Sequence, residues 1–309
     1  MLEDVVRTTS YDDALLEVVK PESRVIDFGT GTGVLSIFSA RHGAAHVDAV
    51  DRSSFIRNAR RIAKDSGHPE IRFHHADHKT LALEEKADIL VSEWMGHCLF
   101  FEAMMGPLLA VRDKWLKPDG VMVPAQVSVH AALVTDEAFH EERRFFLGNP
   151  YGIDFSSIAE KPLRQSRLIR IEEAQMDSRT FHLGTIDMKT VKEQPRSLRG
   201  SCTVRQATIA YGVVAWFDTQ LTDLIRFGTG PRDAPTHWEQ IFFPFPEPFI
   251  VVPDRQLDLE IRPPSESEHE DPTWYWSLSD GEERVEVDEK VTFSEASRDP
   301  NDEEIVETL

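Results

Sequence analysis

The stretch from Arg24 to Gly43, "RVIDFGTGTGVLSIFSARHG", limits the fold more than any other part of the chain. A short apolar strand runs into a turn with glycines at 29, 31 and 33, then into an apolar helix that stops near Gly43. Glycine lets the backbone approach a ligand closely, and a helix N-terminus favours negative charge. A second strand, "HVDAV", ends at Asp51, where an acidic side chain meets ribose hydroxyls in folds of this kind. A dinucleotide fingerprint spaces its glycines G-x-G-x-x-G, whereas here the spacing is G-x-G-x-G. A nucleoside cofactor without a pyrophosphate, such as S-adenosyl-L-methionine, fits better, and a nicotinamide oxidoreductase is disfavoured.

Strands and helices go on alternating as far as Pro124. "SSFIRNARRIAKDSG" predicts a helix capped by Ser53 or Ser54 and stopped at Gly67. "IRFHH" and "ADILVSE" predict strands, "FFEAMMGPLLAVRDKWL" a helix despite Gly106 and Pro107, "KPDG" a turn and "VMVP" a further strand. Such alternation implies a doubly wound, Rossmann-like parallel sheet over residues 1–124. Beyond Pro124 the pattern changes to period-two strands such as "QVSVHAALV" and "RVEVDEKVTF", so residues 125–309 are expected to form an antiparallel sandwich or barrel. Tyr151 to Ser178 is polar with partial helical periodicity, while "SESEHED" and the tail at about 295–309 are acidic.

Lysine plus arginine number 34 and aspartate plus glutamate 54, a net charge of −20. Such a surface repels nucleic acid and anionic lipid and attracts a cationic ligand or basic peptide, although solubility alone would also account for it. No apolar run is long enough to span a bilayer, and the first residues do not read as a signal peptide. Cys98 and Cys202 make neither a disulfide framework nor a zinc pattern, which suggests a reduced, cytoplasmic protein.

"SEWMGHCLFFEAM" (92–104) carries Glu93 and Glu102 around a mostly apolar run. Glu93 follows the strand "DILV" at the carboxyl end, where open α/β sheets bind ligands, and Gly96 lets the loop fold back so that the two carboxylates converge. They suit acid–base chemistry on a sugar, a metal site with His97, or a clamp on a guanidinium, whose planar donors match carboxylates bidentately. The plain alternative is a salt bridge to Arg7 or Arg112. With a sulfonium cofactor the guanidinium reading gains chemical sense, because two carboxylates offset the repulsion between two approaching cations.

Taken together, the motifs resemble the protein arginine methyltransferase family. "MLEDVVRTTSY" is similar to the family's opening helix, "VIDFGTGTGVLSIFSARHGAAHVDAVD" to its cofactor segment and "SEWMGHCLFFEAM" to its double-glutamate loop. "RDKWLKPDG" and "PTHWEQ" (235–240) also have counterparts, and the resemblance runs from Met1 to about Ser279. It implies N-methylation of an arginine guanidino group with S-adenosyl-L-methionine, leaving S-adenosyl-L-homocysteine, on a protein or peptide. Free arginine or another small guanidine is the alternative substrate, and a cofactor-binding scaffold the alternative of another class. Arg7 would meet the cofactor carboxylate, Asp27, Gly29 and Gly31 would line its pocket, Asp51 would bind the ribose, and Asp77 and His78 would lie at the adenine. Glu93, beside the cofactor, and Glu102 would grip the guanidinium. His237 would pair with Asp4, Trp238 would shape the substrate pocket and Met104 would flank the transfer site. A β-barrel domain entered at Pro124, with a helical arm at about 151–187 that makes a homodimer, is implied too. No metal is expected. His97 stands where many members carry tyrosine, and Phe101 likewise lacks a hydroxyl.

Overall fold

A computed structural model describes residues 1–100, 102–264 and 273–290. The acidic stretches at 265–271 and 295–309, and Phe101, lie outside the described residues.

The chain opens with α1 (Val5–Val18) and then builds β1 (Arg24–Phe28), α2 (Val34–Arg41), β2 (His46–Asp51), α3 (Ile56–Asp65), β3 (Arg72–His75), β4 (Ala87–Val91), α4 (Met105–Trp115) and β5 (Leu116–Val123). The five strands form one parallel sheet in the order β3-β2-β1-β4-β5. β1, β2 and β4 are buried along nearly their whole length, which is why they read as continuous apolar runs rather than alternating ones. The chain leaves β1 toward β2 on one side and later returns as β4 on the other. The crevice at the carboxyl ends of β1 and β4 is therefore the topological switch point.

Three local expectations change. α3 has no side-chain cap: the backbone carbonyls of Ser53 and Ser54 accept from Ile56 and Arg57 instead. α4 begins at Met105, so Pro107 falls in the first turn, where a missing N–H costs nothing, and Glu102 lies in the loop ahead of the helix. "KPDG" is an excursion within β5, where the pairing with β4 slips between Ala87 and Ile89.

The Val123–Pro124 peptide is cis and leads into the antiparallel half. Its elements are β6 (Gln126–Val134), α5 (Ala138–Arg144), α6 (Ser156–Arg164), β7 (Arg167–Ile169), β8 (Met176–Asp187), β9 (Leu198–Thr203), β10 (Thr208–Gln220), β11 (Arg226–Gly228), β12 (Gln240–Val251), β13 (Gln256–Arg262), β14 (Thr273–Ser279) and β15 (Arg284–Lys290). One sheet runs β7-β12-β10-β6-β8, with β11 on β10, and a second runs β15-β14-β13-β9. The helical segment expected at 151–187 is shifted: α5, two short 3-10 turns and α6 fill 138–164, and Met176–Asp187 pairs with β6 as a strand. The polar outer face of β8, with burial on alternate residues in part of the strand, hid it in the sequence. One large apolar core runs from Tyr11 in α1 through the parallel sheet to Trp274 and Val287, so both halves share an interior, and a smaller cluster around Ala132, Trp216 and Phe242 lies apart from it. Among the described residues no helix is long and apolar enough to cross a membrane.

Candidate active site

Most of the expected site residues lie in α1, at the carboxyl ends of β1, β2 and β4, or in the loops that follow them. Gly29, Gly31 and Gly33 adopt positive φ (77°, 52° and 82°), a conformation other residues enter only with strain. Space is open where a Cβ on Gly31 would stand, and Met104 Cε lies 3.2 Å from the corresponding point on Gly29. Met104 thus packs against the glycine turn.

Asp51 holds this turn from β2. Its Oδ2 accepts from Gly31 N at 2.8 Å and its Oδ1 from Ser53 N at 2.8 Å, leaving lone pairs for further donors. Asp27 lies beneath, fully buried, accepting from Thr30 Oγ1 at 2.6 Å and Ser36 Oγ at 2.7 Å. Burial, with the nearby Asp51 charge adding, pushes its carboxyl up to about 6, and Asp27 Oδ1 is buried without a partner. Asp77 does not reach out. Its Oδ1 accepts from Lys79 N, Thr80 N and Thr80 Oγ1 at 2.8–2.9 Å, closing its own turn. His78 follows it, half-buried.

The opening helix supplies the second wall. Asp4 caps α1: its Oδ1 accepts from Arg7 N at 2.9 Å, while its Oδ2 accepts from His237 N at 2.8 Å and meets the ring Nδ1 at 2.7 Å. Burial would raise the Asp4 carboxyl, but these bonds hold it below its ordinary value. His237 is pushed down by burial, against the pull of Asp4. A neutral ring with its Nδ1 proton on Asp4 leaves Nε2 as an acceptor. Arg7 and Tyr11, four residues apart on one buried face of α1, reach across to the end of β4. Arg7 Nη1 lies 3.2 Å from Glu93 Oε2, and Tyr11 donates to the Ser92 carbonyl at 3.1 Å. Among the described residues the buried Nε of Arg7 has no partner.

The two glutamates are unequal. Glu93 has Arg7 on one oxygen and the Met95 N–H on the other, at 3.2 Å each. Burial, then the charge of Glu102, still pushes its carboxyl up to about 7, against Arg7. Glu102 faces solvent at the mouth, yet the protein around it raises its carboxyl too, and no described residue gives it a hydrogen bond or ion pair. The salt bridge to Arg7 is therefore real for one glutamate only. Arg112 is engaged elsewhere, donating to the Met188 and Val191 carbonyls at 2.8 and 2.7 Å. Two carboxylates face one cation, so the site is one positive charge short. Among the described residues no three His, Cys, Asp or Glu side chains gather as a metal site would require.

Trp238 is a floor rather than a pocket wall. It is 2% exposed, stacked on Phe227 at 5.5 Å and met edge-on by Phe217 at 5.4 Å, and the His237 ring lies 4.2 Å away. Its Nε1 donates to the Met95 carbonyl, and its own carbonyl accepts from His97 Nδ1 at 3.0 Å. Tyr11, Phe217, Phe227, Thr30 and Ser36 escaped the sequence reading. Only Tyr11 had left a trace there, in its spacing from Arg7.

Residues 25–120 match a family model described as "Methyltransferase domain", and residues 125–280 one described as "Arginine methyltransferase oligomerization subdomain". Protein arginine N-methyltransferase 1 of Schizosaccharomyces pombe is 31% identical, over all of this chain and 89% of that protein. The Saccharomyces cerevisiae protein of the same name is 33% identical, over 80% of this chain and 74% of its own length. Among solved structures, the Trypanosoma brucei PRMT1 enzyme–prozyme heterotetrameric complex with AdoHcy superposes with a TM-score of 0.85 at 29% identity, covering 94% of this chain and 96% of that one.

Proposed function

The chain belongs to the protein arginine N-methyltransferase family, and from that premise we propose that it transfers methyl groups from S-adenosyl-L-methionine to guanidino nitrogens of arginine residues in polypeptides. The observation that carries this reading is the missing positive charge: Glu102 without a partner beside a Glu93 that has only half of one, over an open glycine turn. A guanidinium is the cation whose flat fork suits two converging carboxylates.

The residues present fit the cofactor. Open space at Gly31, the unpaired Nε of Arg7 and the spare lone pairs of Asp51 would receive its backbone, carboxylate and ribose respectively. When bound, the cofactor supplies an electrophilic methyl on a sulfonium. Glu93 and Glu102 then hold the guanidinium, aim one nitrogen and draw positive charge away from it. A guanidinium has a pKa above about 12, so it arrives protonated. Glu93, raised to about 7, is a stronger base than an ordinary glutamate and sits where the proton must leave, with His237 Nε2 a second acceptor. We assign residues 1–124 to the cofactor and 125–309 to the substrate. The helical excursion at 138–164 exposes Phe145, Leu147, Tyr151, Ile153 and Ile158, which supports its role as the arm of a homodimer. The two free cysteines support a cytoplasmic location.

The test offers labelled cofactor with an arginine-rich peptide and with free arginine in parallel, read by mass spectrometry. Methyl label on peptide arginine is expected. No transfer to either acceptor overturns the activity, and transfer to free arginine alone overturns the polypeptide substrate.

A further inference from the structure

We propose that His97 is a positioning residue for this transfer: its Nδ1–H, donated to the Trp238 carbonyl, locks the loop between the two glutamates in the strained form that presents both carboxylates. The inference rests on the activity proposed above. Three non-glycine residues of the loop hold positive φ: Cys98 at 47°, Leu99 at 68° and Ala103 at 49°. Backbone of this kind persists only where its surroundings over-determine it. Inside the loop, Leu99 N donates to Gly96 O at 2.8 Å and Phe100 N to Cys98 O at 2.9 Å, both local bonds that travel with the loop if it moves. From outside, the loop is held by burial of Trp94, Met95, Cys98, Leu99 and Phe100 in the core and by hydrogen bonds to Trp238, which donates to Met95 O and accepts from His97, with Thr219 Oγ1 touching Met95 Sδ at 3.4 Å as a lesser contact.

The pairing is reciprocal. Met95 and His97, two residues apart, grip the indole and the carbonyl of one tryptophan that is itself wedged between Phe217 and Phe227. Strain sits directly beside the bond on both segments, because Cys98 follows His97 and Glu239, at φ 51°, follows Trp238. A carbonyl only accepts, so His97 must carry its proton on Nδ1. Among the described residues no hydrogen bond or ion pair joins His97 to Glu93 or Glu102. The histidine acts through the tryptophan backbone, one residue from His237, and so fixes the distance between the glutamate loop and the His237–Asp4 pair. Glu93 has anchors outside the loop, β4 and Arg7, besides the Met95 N–H within it. Loss of the His97 bond therefore lets Glu102 drift more than Glu93 and the glycine turn.

Asparagine carries an amide nitrogen the same number of bonds from Cβ as Nδ1, glutamine carries it one bond farther out, and leucine lacks it. His97→Leu and His97→Gln are expected to lower kcat about ten- to hundredfold, the scale of a small misplacement at a reacting centre. The Kd for S-adenosyl-L-homocysteine should stay unchanged, and hydrogen exchange should quicken across 94–104. His97→Asn should restore both turnover and protection. His97 is only half-buried, so thermal unfolding of the three variants should match the parent. Wild-type turnover and exchange in the leucine and glutamine variants overturns the proposal. So does an asparagine variant as slow as leucine with its loop still protected, which would point to chemistry by the imidazole itself. If the parent protein transfers no methyl at all, the activity fails, and the exchange comparison still decides whether His97 holds the loop.

Discussion

At the scale of single residues, the contrast between Glu93 and Glu102 sets the clearest expectations. Glu102→Gln keeps the shape and removes a raised, unpaired charge. Turnover should fall by about a hundredfold or more, while cofactor binding persists and the resting protein melts at the same temperature or slightly higher. A melting point several degrees lower would make Glu102 structural instead. Glu93 governs pH. Its carboxyl stands at about 7 against an ordinary 4.5, so below pH 7 the resting site is largely protonated and must release that proton to grip a guanidinium. The value of kcat/KM for a peptide arginine should therefore climb up to about tenfold per pH unit below 7 and level off above it. Stability runs the other way. A carboxyl raised on folding contributes stability that is complete below 4.5 and lost as pH rises through 7, and Asp27, raised from 3.8 to about 6, acts in the same sense. Glu260 and Asp280, both held down to about 2, oppose this only in acid, below their ordinary values of 4.5 and 3.8. His237, pushed below its ordinary 6.5, opposes Glu93 and Asp27 within this window, since its contribution is lost as pH falls, but two raised carboxyls outweigh one histidine. The ligand-free protein should thus unfold at a lower temperature at pH 7.5 than at pH 5.5. The motif residues themselves were legible, because spacing and residue type name them. The partner of His97 was not: it lies 141 residues away and is a backbone carbonyl, an atom every residue carries.

At the scale of elements, the parallel half followed its periodicities closely, because strands buried on both faces and a glycine-rich turn leave few alternatives. The antiparallel half was legible as a class and blurred in detail. Strand β8 carries a polar outer face that resembles an exposed helix over short windows, whereas its pairing with β6 was decided by partners distant in sequence. The same blur moved the expected arm. The excursion at 138–164 presents Tyr151, 91% exposed, and Ile153, 53% exposed, near its turn. An apolar surface of this kind on an otherwise acidic protein fits a second copy of the chain. Tyr151→Asp with Ile153→Asp should halve the mass in light scattering and lower methyl transfer while leaving secondary structure by circular dichroism intact. A variant with parental mass and parental activity would remove the arm from the dimer.

At the scale of the molecule, the net charge of −20 acts on every encounter. A peptide with several arginines is drawn in strongly by the long-range field, whereas free arginine, with a net charge of only +1, is drawn in much less. Raising ionic strength from about 0.05 to 0.3 M should depress kcat/KM for the peptide several-fold and for free arginine by a clearly smaller factor, since screening shortens the field's reach. Equal salt sensitivity for both would exclude steering. The Asp4–His237 bond has a consequence of its own, for the time at which the enzyme becomes an enzyme. The two residues are separated by 233 positions, and the same carboxylate starts the first helix. A chain emerging from the ribosome can fold its cofactor half early, yet it lacks a working centre until the histidine has been synthesised and has found the beginning of the chain. If the pair serves the reaction as proposed, activity is withheld from truncated copies and from those in which this contact across 233 positions has not closed.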